Sequence, residues 1–276
     1  MPENFGTKLH GAFEEFGHLC VGIDPHSSIL ESLQYGDSID GLKEFSFAVL
    51  NSAIGSVAAI KPQVAFFERF GSKGFEVLAE ICSIAKEENL LIIADAKRGD
   101  IGTTMDGYFE AWFGAKSGLY CDALTVSPYL GFESLKNSYE KWSDQSKGVF
   151  TLAATSNPEG FATQLAITNG HSLASEIVSL SETENAGSDE LGNFGVVVGA
   201  TIDFSKFGLT NLNGKTPILA PGFGFQGAKL SDAKNIFGSS AGQVLYSVSR
   251  SITDGGIGKI RSRISSANEE LNAALN

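Results

Sequence analysis

The sequence predicts an α/β fold, a closed (β/α)8 barrel of the TIM type with an extra N-terminal helix, spanning residues 1–276 as one domain. Three observations predict it. Short apolar, β-branched runs recur along the chain at 19–23, 56–60, 90–94, 123–126, 149–154, 195–198, 217–220 and 243–247, each ending in polar, Gly or Pro residues. Continuous apolar runs of this length read as strands buried on both faces, as parallel sheets require. Helical periodicity fills most of the intervals between them. Eight such units in 276 residues fit a barrel, whereas an open doubly wound sheet of this size seldom needs eight parallel strands.

The helices are read from stripes at i, i+3, i+4 spacing. Leu9, Phe13 and Phe16 predict a helix before the first strand, packed against the bottom or side of the barrel. Ile39, Leu42, Phe45 and Val49 form the next stripe. Phe75, Leu78, Ala79, Ile81, Cys82 and Ala85 form another, and Met105, Phe109, Trp112 and Phe113 a fourth. The weakest helical interval lies between the sixth and seventh strands, where Asn211-Leu212-Asn213-Gly214 reads as loop. Residues 158–193 exceed what a simple connection needs. Their second half, 181–192, is acidic and rich in Gly and Ser and is expected to form an exposed excursion.

In a barrel of this kind the residues just past the strand C-termini converge on one face, where active sites lie. Those residues are Asp24-Pro25-His26, Lys61-Pro62-Gln63, Asp95 with Lys97 and Asp100, Ser127-Pro128-Tyr129, Thr155-Ser156-Asn157-Pro158, Ala200-Thr201, 221–227 and Ser249-Arg250-Ser251-Ile252. Asp95-Ala96-Lys97-Arg98-Gly99-Asp100 directly follows an apolar run. Side chains alternate along a strand, so Asp95 and Lys97 point the same way. Charged groups avoid such positions unless they are paired or used. Lys61, Asp95, Lys97 and Asp100, with Asp24 nearby, thus form a candidate cluster of alternating charge. The Gly-rich seventh loop beside Arg250 forms a second, phosphate-binding theme: small residues expose backbone N–H groups and a guanidinium adds a bidentate anchor.

Composition narrows the function classes. Lys plus Arg number 20 against 32 Asp plus Glu, a formal charge of −12, which repels nucleic-acid backbones and anionic membranes. No nucleic-acid or membrane partner is expected, and any phosphate must be held by a local pocket. The three cysteines, Cys20, Cys82 and Cys121, form no metal or redox motif and read as small buried hydrophobes. The N-terminus shows no signal-peptide pattern, and no stretch approaches the length of a membrane span, so a cytoplasmic location is expected. His10, His18, His26 and His171 are scattered, and no His/Cys/carboxylate cluster has metal-ligand spacing. No metal or cofactor is expected.

With these residues assembled, the chain resembles the orotidine 5′-phosphate decarboxylase family from Asp24 to Ile252. The most specific element is Asp95-x-Lys97-x-x-Asp100-Ile101-x-x-Thr104, which matches the family signature at every fixed position. Lys61-Pro62-Gln63 with Phe66-Phe67-Glu68, and Thr155-Ser156-Asn157-Pro158, are closest to its longer bacterial-type branch. Ser249 departs from the pattern, since many members carry Gly before the final Arg.

The resemblance implies a cofactor-independent decarboxylation of orotidine 5′-phosphate to uridine 5′-phosphate through a Lys-stabilised C6 carbanion. It implies that Asp24 and Lys61 hydrogen-bond the ribose hydroxyls, and that Asp95 and Lys97 face the substrate carboxylate and C6. Ser156 would contact the pyrimidine, Gln226 would bridge pyrimidine and phosphate beside Pro221, and Arg250 would hold the phosphate. Asp100 and Thr104 would cross into the neighbouring subunit's site, giving a homodimer with shared active sites. Two alternatives stand beside this reading. One is a Mg²⁺-dependent sugar-phosphate decarboxylase or aldolase on the same frame, which would need a carboxylate where this chain has Lys61. The other is a non-catalytic nucleotide-binding barrel.

Overall fold

The structure, a computed structural model, describes residues 4–142, 146–210, 212 and 214–276. Eight parallel strands close into a barrel: β1 (Leu19–Ile23), β2 (Ala59–Pro62), β3 (Leu91–Arg98), β4 (Ala123–Val126), β5 (Gly148–Ala154), β6 (Phe194–Val198), β7 (Ile218–Ala220) and β8 (Val244–Val248). Each pairs with its sequence neighbours, and β1 pairs with β8 to complete the ring. Among the described residues no helix is long and apolar enough to cross a membrane.

Period-two alternation sorts the strands into two apolar layers. One cluster takes a single inward residue from every strand: Cys20, Ala59, Ile93, Ala123, Phe150, Val197, Leu219 and Leu245. The extra helix α1 (Phe5–Phe16) closes this layer from below with Phe5, Leu9 and Phe13. Asn4 caps α1 by accepting the Thr7 N–H, and the Phe5 ring meets Phe150 edge-on with centroids 6.0 Å apart. Gly148 is required there, because a Cβ would fall 2.2 Å from the Phe5 ring. The second, larger cluster lies between the sheet and the surrounding helices and contains the predicted stripes, including all of Met105, Phe109, Trp112 and Phe113.

Two expectations change. The second strand begins at Ala59 and runs through Lys61, and the third runs on through Asp95 and Lys97 to Arg98. The site charges are therefore strand residues, because the barrel interior turns polar while backbone pairing continues. Residues 181–192 are also not a simple exposed excursion. Ser181 is a buried residue of the helix Leu173–Glu184, and the buried Asn185 side chain pins the turn by donating to Phe194 O and Thr216 Oγ1 and accepting from Phe194 N–H. The connection from β6 to β7 contains no helix among its described residues; Asn211 and Asn213 lie outside them, as do the first three residues. Cys20, Cys82 and Cys121 are free and buried, and burial pushes the Cys20 and Cys82 thiols up to about 12.

Candidate active site

The alternation that places Cys20, Ala59, Ile93, Ala123 and Leu245 inside the barrel places Gly22, Lys61, Asp95, Thr125 and Ser247 one layer nearer the C-terminal mouth. Lys61, Asp95, Thr125 and Ser247 are all buried. Asp95 is the hub. Its Oδ2 accepts from Lys61 Nζ at 3.1 Å and from Gln63 Nε2 at 3.0 Å, and its Oδ1 accepts from Lys97 Nζ at 2.5 Å and from Thr125 Oγ1 at 3.0 Å.

Burial alone would push the Asp95 carboxyl up, but the Lys61 and Lys97 ammonium groups outweigh it and hold the group well below the usual carboxylate range. Burial likewise disfavours a charged Lys61, yet Asp95 and then Asp24 overcome it and raise its pKa. Lys61 and Asp95 therefore share a buried, fully ionised pair. Lys97, by contrast, has a side chain that is 44% exposed. Its backbone sits at φ +49°, a left-handed conformation uncommon for a non-glycine residue. A register shift accompanies it: Ala94 pairs with Leu124 and Arg98 with Val126, so Asp95, Ala96 and Lys97 face Thr125 alone. Such bulges re-aim side chains near active sites.

Beside this cluster opens a cleft of about 310 Å³, within the size range of small-molecule sites. Asp24, Lys61, Pro221, Gln226, Ser249 and Arg250 all line it. Asp24 Oδ1 is buried and has no hydrogen-bond partner among the described residues, an acceptor set up for a ligand hydroxyl. The seventh loop turns through Gly222, Gly224 and Gly227, at φ +120°, +79° and +109°, values that strain any side-chain-bearing residue. Arg250 lines the cleft with its guanidinium 4.5 Å from the Phe225 ring centroid, and Phe225 is itself 70% exposed.

Five predicted site residues are not part of the cleft lining: Asp95 and Lys97, which form the charge cluster beside it, and Asp100, Thr104 and Ser156, which lie farther out. Asp100 is half-buried beyond Gly99 and accepts the Ile101 N–H at 2.8 Å, and Thr104 is exposed on the first turn of the helix Gly102–Phe113. Ser156 is exposed past β5, beside Gly199. Among the described residues, no three His, Cys, Asp or Glu side chains converge as a metal-binding group. His26 caps the helix Ser27–Ser32 and packs edge-on against Phe66 at the cleft rim. Gln63 belongs to the second strand end that the sequence nominates, without a role of its own; Thr125 is not among the nominated residues, although continuing the inward alternation from Ala123 reaches it.

A model of the orotidine 5′-phosphate decarboxylase / HUMPS family matches residues 17–257. The chain belongs to this family. It is 46% identical over 252 residues to the orotidine 5′-phosphate decarboxylase of Streptomyces coelicolor, covering 91% of this chain and 90% of that one. The enzyme of Corynebacterium glutamicum strain R is 47% identical over 252 residues, with 90% of each chain covered. A solved Streptomyces avermitilis structure, described provisionally as an orotidine 5′-phosphate decarboxylase, superposes with a TM-score of 0.93 at 43% identity, covering 99% of this chain and 96% of that one. These bacterial relatives agree with the bacterial-type character read from Lys61-Pro62-Gln63 with Phe66-Phe67-Glu68 and from Thr155-Ser156-Asn157-Pro158.

Proposed function

We propose that the chain is a carboxy-lyase that converts orotidine 5′-phosphate to uridine 5′-phosphate in pyrimidine nucleotide synthesis, as a single barrel unit. The observation that carries the reading is the Lys61–Asp95–Lys97 chain of charge, joined through Lys61 to a cleft that Arg250 also lines. In the proposed reaction the bond from C6 to the carboxylate breaks, CO₂ leaves and the electron pair stays on C6. No carbonyl adjoins C6 to take up that charge, so the protein must stabilise it directly. Lys97 Nζ, exposed at the mouth, stabilises the carbanion and then gives it a proton, which solvent restores. Asp95, held ionised, repels the substrate carboxylate in the ground state, and losing CO₂ relieves that repulsion.

A single charge pair at about 4 Å and an effective dielectric near 20 is worth roughly 4 kcal/mol, about three decades of rate. That is too little for so difficult a bond cleavage. The balance falls to the whole array and to remote binding energy from the phosphate, with Arg250 and Gln226 drawing the substrate in. Asp24 and Lys61 take the ribose hydroxyls, the orphan Asp24 oxygen being the acceptor, and Ser156 takes the pyrimidine.

Asp100 and Thr104 complete a neighbouring subunit's site in this proposal. Both stand outside the lining of their own cleft, and the exposed Ile101 between them, with Tyr129 and Leu130 exposed past β4, offers apolar area to a second copy. A cytoplasmic location suits three free cysteines. The direct test follows the loss of orotidine 5′-phosphate absorbance in buffer containing EDTA. Turnover is expected. Turnover abolished by EDTA would favour the Mg²⁺-dependent alternative, and tight nucleotide binding without CO₂ release would favour a binding barrel.

A further inference from the structure

The geometry points to Thr125, seconded by Gln63, as a positioning residue that holds the Asp95 carboxylate and the Lys97 backbone in their working orientation; this rests on the decarboxylase reading. A carboxylate offers about four in-plane acceptor positions. In Asp95 four donors occupy them: Lys97 Nζ and Thr125 Oγ1 on Oδ1, Lys61 Nζ and Gln63 Nε2 on Oδ2. The two lysines supply charge. The two neutral donors supply direction, because the terminal torsion of an aspartate is broad and does not fix the carboxylate plane by itself.

Thr125 does a second thing. Its Oγ1 accepts the Lys97 backbone N–H at 2.9 Å while its own proton goes to Asp95. The shift in β3 leaves three residues facing this one β4 position, and Lys97 stands there at φ +49°. Strained backbone persists where its surroundings over-determine it. The hydroxyl takes the place of the ladder acceptor that the bulge removes, and it ties both ends of Asp95-Ala96-Lys97 to one atom. With every acceptor position filled, Asp95 meets the substrate carboxylate as a fixed charge, with no lone pair spare to share a proton with it. Valine at 125 would keep the shape of the side chain and lose the tie, whereas serine would keep the oxygen.

The test is steady-state kinetics of Thr125→Val, Thr125→Ser and Gln63→Met on orotidine 5′-phosphate, with uridine 5′-monophosphate binding and thermal unfolding measured alongside. Thr125→Val is expected to lower kcat by about 10- to 100-fold with KM within about threefold, because the positioning affects the reacting end and leaves the ribose and phosphate contacts in place. Thr125→Ser should return to within about threefold of wild type, and Gln63→Met should lose a smaller factor of kcat at unchanged KM. The inference is overturned if Thr125→Val keeps wild-type kcat, or if valine and serine lose activity equally with KM rising in step, the mark of a packing role. Should Thr125→Val not fold, a Gln63→Met variant altered in KM alone, together with an impaired Thr125→Ser, overturns it. An inactive wild type would instead count against the decarboxylase reading itself.

Discussion

Lys61 Nζ and Asp95 Oδ2 stand 3.1 Å apart inside the barrel wall, with their side chains 8% and 10% exposed. Two opposite charges so deeply buried survive on each other, since neither is solvated well enough to stay charged alone. They are neighbours because β2 and β3 are adjacent parallel strands and both residues fall on the inward alternation.

Lys61→Met should therefore destabilise the fold by roughly 3 kcal/mol, the lower end for breaking a buried pair, because Asp95 keeps Lys97. The sign with pH is fixed by the two directions. Asp95 is depressed below its ordinary 3.8, so its contribution is present above that value and lost as pH falls through its folded pKa. Lys61 is raised above its ordinary 10.5, so its contribution is present below that value and lost as pH rises through its folded pKa. Thermal unfolding of both proteins should show a Tm gap that is flat between about pH 4 and pH 10 and narrows on either side. A gap that widens in acid would contradict the pairing.

Arg250→Ala removes the guanidinium that lines the cleft beside the Gly-rich seventh loop. If phosphate binding energy is used at the reacting carbon, kcat/KM should fall by about two to three decades, with kcat itself reduced. Kinetics on orotidine 5′-phosphate check it. A rise in KM at unchanged kcat would show that Arg250 contributes uniform binding and nothing to the chemical step.

Shared sites make a prediction about mixtures. Lys97→Ala and Asp100→Ala are each expected to be inactive. In a mixed dimer both lesions fall in one site and the other is intact, so mixing equal amounts should restore about a quarter of wild-type activity per site at random exchange. Activity is measured after subunit exchange has been verified with differently tagged chains. No recovery would place Asp100 in the service of its own barrel.

Much of this architecture is legible in the sequence because both underlying patterns are local. β1 and β4 fall on 19–23 and 123–126 as read, and the stripe Met105, Phe109, Trp112, Phe113 is the buried face of its helix. What escaped the sequence is non-local. An apolar run ends at Ala94, but the β3 ladder does not, because β4 and the Thr125 side chain continue to satisfy it. The bulge at Lys97 depends on that partner, so no propensity of Asp95-Ala96-Lys97 announces it. Asn185 likewise turns a loop-like composition at 181–192 into a pinned turn through partners nine and thirty-one residues away. Ser156 stands outside the cleft lining in a single chain, and so do Asp100 and Thr104, which the resemblance assigns to a neighbouring subunit's site.

The most direct measurement is the rate of decarboxylation of orotidine 5′-phosphate by Lys97→Ala, taken beside its affinity for uridine 5′-monophosphate. Lys97 contributes charge and a proton at C6, so the rate should fall by at least about three decades. The product, which lacks the carboxylate, should bind within about tenfold of wild type. A Lys97→Ala protein that releases CO₂ at the wild-type rate would contradict the account at its centre.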